Sequence, residues 1–215
     1  WANKLGLEGI AVGKYVDEKA SIGTLAHEMI HCMLKNEEAD TSDYSQNQID
    51  LALNSLKSFD NWYKGSDLKP VLLEEQLVSE ELQYGGSIDC YGVIKDGTRV
   101  LVDFKTGKGI YNDMAYQLSA YANLLEENGY PVDLAMILNI PRVDAEDFAI
   151  RRWTNLTLHF NIFKCMLDVY KKEKKLKKDG VSPKVEMRED FTSIVDPSRH
   201  HSDREEEKGA VHERV

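Results

Sequence analysis

The chain has 215 residues, of which 42% are hydrophobic and 30% are charged, and this balance excludes a disordered, collagen-like or low-complexity protein. The formal net charge of −10 excludes a general coat of basic residues, so a first interpretation favours a partner other than nucleic acid. Cys32, Cys90 and Cys165 are widely spaced without a C-x-x-C pair, which predicts neither a disulfide framework nor an iron–sulfur cluster. This cysteine usage predicts a reduced, intracellular compartment. No apolar run approaches the ~20 residues of a membrane span, and no leader is recognisable.

The hydrophobic period changes from helical to strand-like and back along the chain. We predict one domain over residues 1–195, with N-terminal helices within 23–65, a core over 70–153 and a C-terminal helix over 154–178, followed by a flexible tail over 196–215. In chain order, the predicted elements are an irregular segment over 1–22, helices from Gly23 to about Glu37 and over 46–63, strands over 71–84, 87–95 and 99–105, a helix over 113–128, strands over 133–140 and 148–153, and the final helix.

Glycine-containing turns divide the predicted strands. Gly85-Gly86 separates the first two strands, and Asp96-Gly97 is a strong hairpin signal between the second and the third. The strand over 133–140 follows a helical crossover, so it should lie parallel to a central strand. This order predicts an α/β fold with a central mixed sheet flanked by helices.

Charged residues with catalytic potential lie on two neighbouring predicted strands. Asp103 and Lys105 are two residues apart, so their side chains point to the same face of the sheet, and strand pairing can bring Asp89 close to Asp103. Two carboxylates at close range repel unless they share a cation, and oxygen ligands favour Mg²⁺ or Mn²⁺ over Zn²⁺. A neighbouring lysine can help to activate water or stabilise charge on a phosphate. A solvated surface ion pair is the alternative, but the apolar run Val100–Val102 places these charges on a central strand.

The motifs around these residues resemble a known family. Gly23–His27 reads G-T-x-x-H, Gly86–Asp89 reads G-x-I-D, Asp103–Gly107 reads D-x-K-T-G, and Gln117–Tyr121 reads Q-x-x-x-Y. In this order and spacing they resemble the RecB-like branch of the PD-(D/E)XK nuclease superfamily, which also carries a glutamate on the preceding strand, here Glu75. The resemblance implies a restriction-endonuclease-like core and a metal-dependent DNA nuclease, most simply an exonuclease of phage or of recombination and repair DNA processing.

The resemblance also implies a metal site. Asp89 and Asp103 would bind Mg²⁺ or Mn²⁺, together with the Phe104 carbonyl and with His27 from the first helix. Iron–sulfur members of this branch place one cysteine before the core and three after it, whereas here only Cys165 follows the core. The resemblance therefore implies a member without that cluster.

The remaining catalytic roles come from the same resemblance. Lys105 would be the catalytic lysine, and Gln117 would support Lys105 or the scissile phosphate. Tyr121 would orient the site or contact DNA, and Glu75 would act as a supporting or second-metal carboxylate. The motifs are shared by exonucleases and endonucleases, so they leave open the polarity, the strandedness of the DNA and endo against exo action.

The first predicted helix also carries a competing motif. His27-Glu28-Met29-Ile30-His31 matches H-E-x-x-H, in which two histidines one turn apart bind zinc and the glutamate acts as a base. A metalloprotease needs a third ligand, and the stretch between Glu38 and Glu74 has no glutamate to supply it. The zinc metalloprotease stays an unfavoured alternative, with His31 interpreted as a histidine at the edge of the core or on the DNA side.

The negative net charge hides local basic regions outside the motifs, and these regions can form a surface for DNA. The final helix carries seven lysines between Lys164 and Lys178, which can contact phosphates or form a solvated helix end. The expected partner is single- or double-stranded DNA ends, with a second copy of the chain or a recombination protein as further possibilities and no membrane. A non-catalytic nucleic-acid-binding module is the alternative. The candidate DNA-contacting residues are Lys108, Tyr111, Tyr121, Arg151, Arg152, Lys171 and Lys172.

Overall fold

The computed structural model describes residues 12–180, which form an α/β fold. A five-stranded mixed sheet with the strands in chain order is flanked by helices, and this confirms the predicted fold class. The elements are α1 (Val12–Lys35), α2 (Gln46–Ser66), β1 (Lys69–Ser79), β2 (Tyr84–Val93), β3 (Arg99–Lys105), α3 (Asn112–Glu127), β4 (Leu134–Asn139), β5 (Ala149–Trp153) and α4 (Thr157–Lys178).

Two compact units divide the chain between Val169 and Tyr170, inside α4. The predicted single domain over 1–195 stays a prediction, and the predicted tail over 196–215 lies outside the described residues. Within residues 12–180, no helix combines the length and the apolar character that crossing a membrane requires.

The helices begin and end where their local chemistry requires. Ser45 and Gln48 form a capping box at the start of α2, and Gly129 adopts a φ of +88° just after α3.

The predicted irregular segment over 1–22 is wrong for its described part, because α1 already begins at Val12. Gly23 lies inside α1, where a Cβ would stand 3.0 Å from the Oγ1 of Thr106, so this glycine allows a close approach rather than starting a helix.

The strand connections follow the predictions in one turn and depart from them in another. β2 and β3 pair antiparallel through the predicted Asp96-Gly97 turn, in which Gly97 has a φ of +88°, and β3 pairs parallel with β4 as predicted. The turn between β1 and β2 occupies residues 80–83, so the predicted turn at Gly85-Gly86 is wrong. The hydroxyl of Ser79 accepts a hydrogen bond from the Leu82 amide and forms this earlier turn.

Helices cover both faces of the sheet over its central strands, which gives three layers. On one face, α1 and α2 cover the sheet, and Ile30 and Phe59 pack in one cluster with Val102 and Phe104. On the other face α3 covers it, and a second cluster joins the helix to alternate strand residues. All residues of β3 between its two ends are buried, which explains its continuous apolar run. Asp103 is therefore a charged residue in the buried part of a central strand.

Candidate active site

The centre of the site is the charged end of β3. Asp103 is 1% exposed, and the Nζ atom of Lys105 lies 2.7 Å from its Oδ2 atom. Lys105 also donates a hydrogen bond of 3.0 Å to the Oε1 atom of Gln117 on α3. A lysine between a buried carboxylate and an amide oxygen has little freedom to turn away, so its ammonium group is held at one place beside the sheet.

Asp89 on β2 is the second carboxylate of this site. Its Oδ2 atom accepts a hydrogen bond of 2.7 Å from the Phe104 amide, and its Oδ1 atom lies 3.3 Å from the Nδ1 atom of His27 on α1. Burial by itself would raise the pKa of Asp89, but His27, the Phe104 amide and Lys105 outweigh burial and hold this pKa below its usual value. Asp89 thus connects α1, β2 and the backbone of β3.

The two aspartates differ in their electrostatics. Burial raises the pKa of Asp103 to about 6, and the nearby carboxylate of Asp89 adds to this rise while Lys105 opposes it. Lys105 is therefore too little positive charge to offset the burial of Asp103 beside a second carboxylate. As the side chains stand, no three His, Cys, Asp or Glu residues within 12–180 gather into a ready-made metal centre. Asp103 instead contacts Lys105, and Asp89 contacts His27.

Residues of α3 close the site on one side. The Nε2 atom of Gln117 donates a hydrogen bond of 2.8 Å to the hydroxyl oxygen of Tyr121. Burial and the two aspartates raise the pKa of Tyr121 to about 12, so its hydroxyl keeps its proton. Tyr121 fits here only because Gly86 has no side chain, since a Cβ on Gly86 would stand 2.6 Å from the ring. This contact explains why a glycine is found inside β2.

The structure places the glutamates of β1 differently from the sequence-based expectation. The side chain of Glu75 is exposed, whereas Glu74 lies 2.7 Å from the Nδ1 atom of His31 and 2.9 Å from the Nζ atom of Lys35. Burial would raise the pKa of Glu74, but Lys35 and His31 hold it below its usual value. Sequence reasoning missed Glu74, although the second histidine of the H-E-x-x-H motif pointed towards a partner of this kind.

The backbone conformation of Glu74 explains why this residue contacts His31 and Lys35 on α1. Glu74 has a φ of +53°, a left-handed conformation that is rare for a non-glycine residue in a strand. It lies between the pairs Leu73–Cys90 and Glu75–Ile88. Cys90 packs under α1 and α2, whereas Ile88, two residues away, packs under α3. The regular alternation is therefore interrupted at Glu74 and Asp89, and both carboxylates are turned towards α1.

The H-E-x-x-H motif does not bring its histidines together. His27 pairs with Asp89, and the 3% exposed His31 pairs with Glu74. Their ring centroids are 6.4 Å apart in an edge-to-face arrangement. Each histidine therefore connects α1 to a different strand. A cavity of about 380 Å³ lies between them and is lined by His27, Glu28, His31, Glu74, Ser87 and Asp89.

The candidate DNA-contacting residues fall into separate places. Lys108 and the 57% exposed Tyr111 lie in the segment that follows β3, next to Lys105. Arg151 pairs with Ile137, which pairs with Asp103, so Arg151 is on the same face of the sheet as the charged centre. Arg152 points to the opposite face and lines a mainly apolar cavity. Lys171 and Lys172 are on the part of α4 that belongs to the second compact unit.

Comparison with known proteins gives a likeness of fold. No family model and no curated protein matches the chain. A crystal structure described as "Putative exonuclease" from Eubacterium rectale has a TM-score of 0.55 and 12% identity, and the match covers 81% of this chain and 75% of the other. A second solved protein, SSO0001, has a TM-score of 0.34 and 14% identity over 68% of this chain and 69% of the other. The first match shows that the two proteins share a fold.

Proposed function

We propose that the protein is a Mg²⁺- or Mn²⁺-dependent deoxyribonuclease, most simply an exonuclease of phage or recombination-associated DNA processing. The observation that carries this proposal is the placement of Asp103 and Lys105 side by side at the end of a central strand, with Asp89 bound to the intervening Phe104 amide. The fold that this chain shares with the crystal structure from Eubacterium rectale is consistent with the proposal. The RecB-like assignment belongs to the same proposal and depends on the motifs.

The donor set fits a divalent cation. The Oδ2 atom of Asp103 is buried 2.7 Å from the Nζ atom of Lys105, and burial together with the Asp89 carboxylate still raises the pKa of Asp103. A further positive charge at this place would offset that burial. Asp89 and Asp103 would hold the ion, with His27 and the Phe104 carbonyl as further ligands. When bound, the cation supplies Lewis acidity towards the phosphate and lowers the pKa of water.

The side chains of the chain itself would divide the remaining work. Lys105 places a positive charge where negative charge develops on the scissile phosphate. Gln117 holds Lys105 through its amide oxygen and Tyr121 through its amide nitrogen. Because Tyr121 accepts from Gln117 and keeps its proton, its hydroxyl hydrogen is available to a phosphate or carboxylate oxygen. Hydrolysis would proceed by attack of water on phosphorus with inversion and would leave a 5′-phosphate and a 3′-hydroxyl.

The two alternatives differ from this proposal in what the site must do. A binding module without turnover does not need a buried Asp103 next to a held Lys105, and burying such charges is costly. A zinc metalloprotease needs His27 and His31 on one metal, whereas each has its own carboxylate partner. The nuclease is therefore the function that the geometry supports best.

The test is cleavage of 5′- and 3′-labelled DNA, single- and double-stranded, linear and circular, with Mg²⁺, Mn²⁺ or EDTA. We expect turnover only with a divalent cation, and a loss of about a hundredfold or more in Asp103→Asn and in Lys105→Ala. Lys57→Ala, on the exposed face of α2, is the matched control and should retain full activity. Full activity in either site variant contradicts the proposal. DNA binding by the wild type without turnover favours the binding module instead.

A further inference from the structure

A buried asparagine stands beside the catalytic lysine of the proposed site. Asn139 is 1% exposed and ends β4, where it pairs with Lys105 across the parallel strands. Residues paired in this way point to the same face, so Asn139 lies on the face that carries Asp103 and Lys105. The carboxyl ends of parallel strands are where α/β proteins bind ligands, which places Asn139 at the functional edge of the sheet.

The amide group of Asn139 connects two segments of this edge. Its Nδ2 atom donates a hydrogen bond of 3.0 Å to the Gly107 carbonyl and another of 3.0 Å to the Asp147 carbonyl. Gly107 belongs to the segment between β3 and α3 (residues 106–111), hereafter the β3–α3 segment. Asp147 belongs to the connection between β4 and β5. One side chain therefore holds both connections in place.

Besides Asn139, the β3–α3 segment is held by the packing of Ile110 against the core under α3 and by a contact of the Tyr111 amide with the Met114 sulfur. Gly107 and Gly109 flank Lys108, and a Cβ added to either glycine would meet no atom within 4 Å. Glycine has the greatest backbone freedom of any residue, so a segment with two glycines moves unless contacts hold it. Lys108 and the exposed Tyr111, the candidates for phosphate contact and base stacking, depend on this segment for their position.

Asn139 is a poor choice for stability alone. Its Oδ1 atom is buried without a hydrogen-bond partner among the described residues. An unsatisfied buried acceptor destabilises the folded state, and an apolar side chain of similar shape would avoid it. The gain from the asparagine must therefore come from its two N–H donors, which act on the connections and not on the core.

We propose that Asn139 is a positioning residue that holds the β3–α3 segment in the conformation that binds DNA phosphate. This inference rests on the proposed nuclease function and adds a determinant of substrate binding to it. Loss of the two donors leaves Asp103 and Lys105 in place but frees the segment that carries Lys108. The effect then appears in substrate affinity and not in the chemical step.

The test compares Asn139→Leu with Ser55→Ala. Ser55 is a matched control, because it is fully buried and donates a hydrogen bond of 3.0 Å to Pro141 at the start of the β4–β5 connection, without contacting Gly107. For Asn139→Leu we expect KM and the Kd for a labelled oligonucleotide in Ca²⁺ to rise by about tenfold, with kcat within about twofold of wild type. Ser55→Ala should leave both values unchanged.

Hydrogen exchange of the β3–α3 segment provides a readout that needs no turnover. Exchange at residues 107–111 should become faster in Asn139→Leu and stay unchanged in Ser55→Ala. A lower melting temperature with unchanged KM and Kd would show a structural role and overturn the inference, as would a fall in kcat at constant KM. If the wild type cleaves no DNA, the proposed function fails, and the exchange rates and the Kd alone then decide for or against Asn139.

Discussion

The contact between Gly86 and Tyr121 leads to a sharp prediction for Gly86→Ala. The added Cβ would stand 2.6 Å from Cε1 of the Tyr121 ring and 3.2 Å from its Cδ1. Ordinary contacts begin at about 3.4 Å, so the ring must withdraw by about 0.8 Å. The Tyr121 hydroxyl lies 2.8 Å from the Gln117 amide, and a shift of this size along the bond takes the pair out of hydrogen-bond range.

Both stability and activity should respond. Overpacking of this kind costs about 1–3 kcal/mol, and a domain of this size loses about 2–4 °C in Tm for each kcal/mol. We expect Gly86→Ala to unfold at about 5 °C below the wild type and to lose about tenfold or more in kcat, because Gln117 no longer holds both Tyr121 and Lys105. Thermal unfolding and DNA cleavage measure the two effects.

A double-mutant cycle separates this clash from a general effect of alanine. In a Tyr121→Leu background the ring is absent, so Gly86→Ala should cost less stability there than in the wild type. Gly65→Ala is the control, since a Cβ on Gly65, in the last turn of α2, meets no atom within 4 Å and should leave activity intact without lowering Tm. An equal loss of stability in both backgrounds, or a Gly86→Ala variant as stable and active as the wild type, would refute the reasoning.

Two further predictions concern charge. Glu146 forms two side-chain ion-pair contacts with the 7% exposed Arg142, so Glu146→Gln leaves a buried charge unpaired and should cost about 3 kcal/mol in urea unfolding at pH 7. Burial would raise the pKa of Glu146, but Arg142 holds it below its usual 4.5. The ion pair therefore stabilises the wild type above pH 4.5, and this contribution is lost as the pH falls through the lowered pKa. A Glu146→Gln variant whose stability depends on acid in the same way as the wild type would contradict this prediction. On the sheet, Arg151→Ala should weaken DNA binding about tenfold and lower the salt slope by about one, while Arg152→Ala, on the opposite face, should do neither; equal effects of the two in anisotropy titrations would refute the assignment of faces.

Local signals account for the parts of the fold that were predicted correctly. β3 has the limits that its apolar run indicated, and the Asp96-Gly97 hairpin and the parallel pairing with β4 were also predicted. These features depend on side-chain alternation and turn chemistry over a few residues, which are visible in the sequence. The same alternation placed Asp103 and Lys105 on one face, and the motif order drew attention to Asp89.

Glycines were the main source of error in predicting the elements of the fold. Gly85-Gly86 was interpreted as a turn and Gly23 as a helix start, but each of Gly23 and Gly86 lies inside an element and makes room for a residue distant in sequence, Thr106 and Tyr121. A glycine can indicate a turn or a close approach, and the two cannot be told apart without the contacting residue. The sequence therefore marks these positions as special and leaves the reason open.

The choice between neighbouring residues was decided by the tertiary structure. Composition, periodicity and motif spacing were enough to predict an α/β sheet and to name Asp89, Asp103, Lys105 and the residues around them. They could not separate Glu74 from Glu75, since the left-handed backbone at Glu74 interrupts the alternation on which sequence reasoning depends. They also could not reveal Asn139, whose hydrogen bonds join connections far apart in the chain. Periodicity reports which residues share a face within one element, whereas packing between elements determines which of them meet.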